Sequence, residues 1–241
     1  LALGAAAVIF WPRCARAARV AGLAFVLGGA YLTVVARAPW YFPAWQVLAY
    51  IAVGGGAVAG LEVLQARRVW RRALLALVVL AGVAQGAMFV AVATELREQQ
   101  RIIEWGLRAP LGRALRAAAR PTDTVFLESL GYIGFYSNLA MRDTPGLSAP
   151  EVVALRRQGA WSMPLLISAL RPDWVVLRPG EYAIFSPAEV QALDRDYQLQ
   201  AIHDVRPAVN DVAWLPGRGF LLSDAHYVVW RRRPAGGRPA P

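Results

Sequence analysis

From Ala73 to Ala93 the chain runs for 21 residues without a charged side chain. As a helix rising ~1.5 Å per residue, such a run matches the ~30 Å hydrocarbon core of a bilayer. No other feature restricts the fold as much, because a water-soluble domain of this size has little interior in which to hide so long an apolar rod. Two similar runs precede it. Pro43–Leu61 is uncharged for 19 residues and Val20–Ala36 for 17, the latter at the lower limit for a span. Residues 1–12, LALGAAAVIFWP, are too short to cross. They open at Leu1 with no initiator Met and no signal-peptide n-region, which predicts the end of a truncated helix in a fragment of a longer membrane protein. The expected fold class is therefore a membrane α-helical segment of about three complete spans plus a truncated one, followed by an extracytoplasmic α/β domain. The expected divisions are 1–94 for the helices, 95–233 for the domain and 234–241 for a Pro/Gly/Arg-rich disordered tail.

Charge placement supports this reading. Residues 1–94 carry eight arginines and one acid, Glu62, whereas residues 95–241 carry eighteen arginines and fifteen acids. In the apolar half the arginines fall in short loops. Arg13, Arg16 and Arg19 lie in the first, Arg37 alone in the second, and Arg67, Arg68, Arg71 and Arg72 in the third. The positive-inside rule places the first and third loops in the cytoplasm, and the second loop and everything after Ala93 outside. A nucleic-acid binder would cluster basic and aromatic residues on one soluble face, so that class is excluded as a partner and membrane lipid is expected instead. Cys14 is the one cysteine, so no intrachain disulfide can form. Gly56/Gly60 and Gly82/Gly86, at spacing four, would let helices approach closely. The second loop, RAPWYFPAW over residues 37–45, is dense in aromatics. Trp40, Tyr41 and Trp45 suit interfacial anchoring, which leaves Arg37 unexplained.

Beyond Ala93 the pattern changes to alternating short elements. Residues 95–108 and 110–119 read as charged helices, the second opened by Pro110. Residues 124–129, 173–179, 197–205 and 226–232 read as strands. Helices are predicted at 131–137, 149–158, 165–170 and 187–194, with Ser148/Glu151 and Ser186/Glu189 as capping boxes. This succession makes an α/β domain. Arg113, Arg116 and Arg120 at helical spacing read as a solvated face or as contacts to anionic head groups. Neither histidine has metal-ligand spacing, so no metal site is expected; there is also no phosphate-binding glycine loop and no nucleophile elbow. The stretch LESLGYIGFYSNLAMRDTPGL, residues 127–147, is the densest in polar and aromatic groups. Glu128 ends a strand, where α/β folds place ligand contacts. Tyr132 and Tyr136, with Phe135, make either a core stripe or a sugar-stacking surface beside Glu128 and Asp143.

Three features together resemble the C-terminal part of a bacterial polytopic GT-C-type glycosyltransferase, of the kind related to protein mannosyltransferases and the lipid A aminoarabinose transferase. They are RAPWYFPAW before an apolar span, the final spans leading into an α/β domain, and the order strand, GYIGFYS, short strand, RD-x-x-GL, helix, RPDWVVLRP. The resemblance implies transfer of a sugar from a polyprenyl-phosphate donor at the outer face of the cytoplasmic membrane. Arg37 and Tyr41 would then contact the donor phosphate by charge-assisted hydrogen bonds, and Glu128, Tyr132, Tyr136 and Asp143 would face the sugar or acceptor. The family's catalytic carboxylate lies in a first external loop that this chain does not contain, so the catalytic residue is unknown. No cofactor is expected of this part, and a divalent metal stays open for the longer protein. The alternative is a non-catalytic membrane protein whose external domain binds a glycan or a protein partner. A transporter fits less well, since the uncharged runs lack the intramembrane charge of a transport path. Oligomeric state is left open.

Overall fold

The computed structural model describes residues 2–34, 42–215 and 217–234. Arg37, Trp40, Tyr41 and the tail 235–241 lie outside them. The chain divides into two compact units, Leu1–Met88 and Phe89–Pro241.

In the first unit, helices α1 (Ala2–Phe10), α2 (Arg16–Val34) and α3 (Phe42–Val63) pack together through small side chains. Ala5, Ala21, Phe25, Ala49 and Ala52 form one buried group, and Val8, Cys14, Ala18 and Ala59 another. Trp45, at the end of the aromatic loop, stacks on Phe25 with centroids 4.4 Å apart, and its indole N–H donates to the Phe25 carbonyl at 2.6 Å. Gly56 and Gly60 do sit at close approaches. A Cβ at Gly56 would lie 2.7 Å from Val8 Cγ2, and one at Gly60 would lie 3.0 Å from Leu74 Cδ2. Around Gly82 and Gly86 nothing among the described residues comes within 4 Å, so this second pair makes no helix contact.

The expectation of about three complete spans is corrected. Among the described residues two helical stretches are long and apolar enough to cross a membrane, Trp45–Val63 and part of the 51-residue run Arg68–Ala118. Helix α2 is not a third. Arg16 and Arg19 occupy its first turn, and Arg19 Nε donates to the Ile9 carbonyl at 2.9 Å. The uncharged remainder to Val34 extends only about 22 Å at helical rise, short of a hydrocarbon core of ~30 Å. The fold is therefore a helical segment with two candidate membrane helices and a domain on a mixed five-stranded sheet.

Helix α4 (Arg68–Glu98) buries none of its residues. It continues without a break into a π-helical stretch, Gln99–Arg108, and then α5 (Ala109–Ala118). The wider winding shows in the Ala109 N–H, which donates to the Glu104 carbonyl five residues back. The sequence predicts two separate helices here. They fuse because Pro110 falls where the winding tightens from π to α, a point at which its missing N–H interrupts nothing.

In the second unit the chain continues through β1 (Thr124–Leu127), α6 (Leu130–Ser137), β2 (Ala140–Asp143), α7 (Pro150–Arg157), α8 (Met163–Leu170), β3 (Trp174–Leu177), α9 (Pro179–Tyr182), α10 (Pro187–Asp196), β4 (Tyr197–Asp204), α11 (Arg206–Asn210), α12 (Arg218–Ser223) and β5 (His226–Arg232). The strand order is β2-β1-β3-β5-β4; β1 is parallel to β2 and β3, and β5 is antiparallel to β3 and β4. The short runs VFL in β1 and WVVL in β3 are apolar throughout because both faces are covered. Phe126, Val175, Leu177, Val228 and Trp230 pack against Val152, Leu166, Ile167 and Leu193. The alternate residues Val125, Leu127, Trp174, Val176, Tyr227 and Val229 pack against Leu107, Leu111, Leu115 and Ile133. The result is three layers with the sheet in the middle.

Of the two capping boxes the sequence predicts, Ser186/Glu189 forms at α10. Ser148 caps nothing, because its hydroxyl donates to Asp143 Oδ1 at 2.6 Å and α7 starts at Pro150 without a side-chain cap.

Candidate functional site

The parallel strands β1, β2 and β3 all end at one edge of the sheet, where β4 also ends and β5 begins. Open α/β sheets place ligands outside this carboxyl edge. Here it carries Glu128 and Ser129 after β1, Asp143 at the end of β2, Arg178 after β3, Asp204 at the end of β4, and Asp224 and His226 at the start of β5.

Six of these and neighbouring groups close a ring. Arg178 bonds Glu128 Oε2 at 2.6 Å and Asp224 Oδ1 at 2.5 Å. Asp224 Oδ2 meets Arg108 Nη2 at 2.9 Å, and Arg108 Nε donates to the Tyr227 hydroxyl at 3.1 Å. That hydroxyl donates to Ser129 Oγ at 2.8 Å, which in turn donates to Glu128 Oε2 at 3.2 Å. Glu104 joins through Arg108 at 2.6 Å and Glu181 through Arg178 at 2.6 Å. Two guanidinium groups thus stand among four carboxylates. Burial alone would push the arginines toward neutrality. The Tyr227 hydroxyl and the Asp224 and Glu104 carboxylates at Arg108, and Glu181, Asp224 and Glu128 at Arg178, outweigh it and hold both above the usual arginine range. Burial also pushes the Tyr227 hydroxyl up. A ring so locked holds charge rather than transferring protons. Its outlet is Glu128, at 38% exposure the most open of its carboxylates.

Beside the ring lies an aromatic cluster. Trp105 meets Tyr132 edge-on at 5.5 Å and Tyr136 at 5.9 Å, and the two tyrosines are 6.0 Å apart. Arg113 lies over the Tyr136 ring at 4.6 Å, and the Gln100 amide donates to the Tyr132 hydroxyl. Trp105 is 48% exposed and Phe135, edge-on to Tyr136, is 79% exposed. The residue of α6 that enters the core is Ile133, not its aromatics. Gly112 makes the approach of α5 to α6 possible, since a Cβ there would lie 2.9 Å from the Ile133 carbonyl and from Tyr136 Cβ.

The structure thus brings Tyr132 and Tyr136 together and seats Glu128, four residues before Tyr132, in the charged ring. Asp143 has a different situation. Fully buried, it accepts from the Leu147 and Ser148 amides at 2.6 and 2.8 Å and from the Ser148 hydroxyl. Burial pushes its carboxyl up, but these bonds outweigh it and hold the group below the usual carboxylate range. Asp143 fixes the turn after β2 and has no oxygen turned to a ligand.

Sequence reasoning passes over Arg178, Arg108, Glu104, Asp224, Tyr227 and Gln100 as site residues, and reads Trp105, beyond the end of an apolar run, only as an interfacial indole. Arg178 was within reach, since it directly follows a strand as Glu128 does. Glu104 and Arg108 also carry a signal, an acid four residues before a base on a helix. Asp224 and Tyr227 enter only through the pairing of β5 with β3. Among the described residues no three His, Cys, Asp or Glu side chains are grouped to hold a metal ion.

Residues 94–230 match the family model of a domain of unknown function, DUF8728. No curated protein and no solved structure matches the chain.

Proposed function

The chain belongs to the DUF8728 family, and we propose that its α/β domain is the saccharide-recognising part of a membrane glycosyltransferase that draws on a polyprenyl-phosphate-linked sugar. The observation that carries this is the half-open cluster of Trp105, Tyr132 and Tyr136, with Gln100 and Arg113 as polar neighbours. Aromatic faces cover the C–H surface of a sugar ring while amide, guanidinium and carboxylate groups take its hydroxyls, and this cluster offers both kinds of contact. Glu128 is the nearest open carboxylate along the chain. Arg67, just before α4, and Arg68, Arg71 and Arg72 in its first turns support a cytoplasmic end for the two candidate membrane helices there. With both helices inserted, the domain would stand on the outer face of a bacterial cytoplasmic membrane. In this reading Arg37 and Tyr41 serve the donor phosphate. The catalytic base is assigned to no residue of this chain.

The test is titration of the detergent-solubilised chain with short oligosaccharides, followed by nuclear magnetic resonance of the Trp105 indole N–H in the unaltered chain and by calorimetry in that chain and its variants. Trp105→Ala and Tyr136→Ala should each weaken binding about tenfold or more, equivalent to about 1.4 kcal/mol at an aromatic anchor. Saccharide binding unchanged in both variants refutes the site. If binding holds but the protein in membranes transfers no labelled sugar from a polyprenyl phosphate, the second reading, a membrane-anchored glycan-binding protein, takes its place.

A further inference from the structure

Between α11 and the body of α12, the described residues 212–215 and 217–220 mix buried and exposed large apolar side chains. Val212, Leu215 and, one residue on, Leu221 are buried with Ile102, Ile103 and Val209 in a small separate core. Trp214 and Phe220 stay outside that core and are 68% and 57% exposed. The loop is therefore held firmly from beneath while it presents two large apolar side chains outward. Chance exposure of one such residue is ordinary; a pair on a fastened loop is not.

The place of this loop along α4 says what would cover it. Gly217, at φ +83°, lies so close to the Glu95 carboxyl that a Cβ there would overlap it. Glu95 is two residues beyond Ala93, the last apolar residue of the run. That is ~3 Å further along a helix axis. The head-group layer on each side of the hydrocarbon is about 5–7 Å deep, half the difference between a ~30 Å core and a membrane of ~40–45 Å. With the apolar run of α4 inserted, the loop lies at head-group depth. Leu96, 58% exposed on the same turn of α4 as Glu95, adds apolar surface there, and Arg218 in the loop supplies a cation for lipid phosphates.

We propose that the 212–220 loop is a membrane-surface anchor: Trp214 and Phe220 insert at the lipid interface beside α4 and fix the α/β domain against the bilayer. The occupant is the lipid surface itself, with indole and phenyl at the level where amphipathic aromatics are most stable. The inference rests on the insertion of α4 and is independent of the saccharide site.

The experiment uses the full chain with Cys14→Ala, reconstituted into phosphatidylcholine/phosphatidylglycerol vesicles that contain a lipid quencher labelled near the head group or, for position 83, deep in the acyl chain. A fluorophore is attached in turn to Trp214→Cys, Phe220→Cys, Trp161→Cys and Val83→Cys. Trp161 is a matched control at 68% exposure, and Val83, 64% exposed on α4, reports whether that helix inserts. Lipid quenching at 214 and 220 about threefold or more above that at 161 is the expected result for interfacial side chains. Quenching at 83 together with 214 and 220 no different from 161 overturns the anchor while leaving the membrane helix in place. Absence of quenching at 83 as well overturns both. Loss of saccharide binding in Trp105→Ala touches neither outcome.

Discussion

Arg178→Met separates what the charged ring does for the fold from what it could do for a ligand. Arg178 is 21% exposed and neutralises three carboxylates, of which Glu181 and Asp224 are 11% and 10% exposed and Glu128 is 38% exposed. Removing the guanidinium leaves these acids facing one another. Breaking a buried ion pair by deleting one partner costs about 3–5 kcal/mol. Two features reduce that here: Glu128 can turn into water, and Asp224 keeps Arg108 at 2.9 Å. Glu181 keeps only the Arg178 backbone N–H at 2.6 Å. With solvent screening of the open member, the expected loss is about 2–4 kcal/mol, a drop of roughly 5–15 °C in melting temperature for a domain of this size. Thermal melting followed by near-ultraviolet circular dichroism measures it. The cause can be checked on the same curves, because Arg178→Met/Glu181→Gln removes one stranded charge and should recover about 1 kcal/mol or more. Melting of Arg178→Met within about 0.5 kcal/mol of the unaltered chain would refute the reasoning. The ring would then contribute nothing to stability.

Two other perturbations follow from titrating groups at the same edge. Asp143→Asn should destabilise by about 2 kcal/mol at pH 7, since the amide cannot accept from both the Leu147 and Ser148 N–H groups. The native carboxyl is held below its unfolded value, so its contribution is full above that value and is lost as pH falls through the depressed one. The melting difference between the two proteins should therefore narrow below pH ~4, and a constant gap down to pH ~2 would contradict the assignment. His226 has the opposite character. Both its ring nitrogens are buried without a hydrogen-bond partner, and desolvation, with Arg206 nearby outweighing Asp204, holds it below the usual histidine range. The folded protein keeps it neutral while the unfolded chain binds a proton below pH ~6.5, so stability falls as pH drops through that value. His226→Leu should be at least as stable at pH 7 and lose less on going to pH ~5, as read from melting curves, and an unchanged pH slope would count against the reading.

How far the fold could be read in advance depended on which interactions were local. VFL and WVVL announce themselves as covered strands because three or four consecutive apolar residues need both faces buried. Ser186/Glu189 is legible because both halves of its box lie within one turn. Ser148/Glu151 has the same spacing and fails, since Asp143 lies five residues upstream and captures the serine while Glu151 turns to Arg142. The supposed third span misleads for a related reason. Counting uncharged residues from Val20 to Ala36 ignores that the helix begins at Arg16 and puts two arginines in its first turn, where they set a polar end. Small residues also gave half an answer. Gly56/Gly60 and Gly82/Gly86 have identical spacing, yet only the first pair faces another helix, because spacing marks an opportunity for contact and not its partner.

The same division explains the site. Glu128 is visible because a strand end is a local feature, and Arg178 obeys the same rule, but nothing local says that the two meet at 2.6 Å. That contact exists because β1 and β3 are neighbours in the sheet, while Asp224 reaches the ring because β5 returns antiparallel beside β3. Trp105 is the sharper case. By sequence it is an indole shortly after an apolar run, and interfacial anchoring accounts for it. The π winding of Gln99–Arg108 brings it instead against Tyr132 and Tyr136, with Gln100 and Glu104 distributed to the cluster and the ring respectively. A ten-residue π stretch is long for its kind, and such windings favour functional positions. Here the stretch supplies Glu104 and Arg108 to the charged ring and Gln100 and Trp105 to the aromatic surface, just after the apolar run of α4. Interfacial anchoring, which Trp105 first suggests, falls instead to Trp214 and Phe220. They are far along the chain, yet Gly217 packs beside Glu95, within one turn of the end of the apolar run.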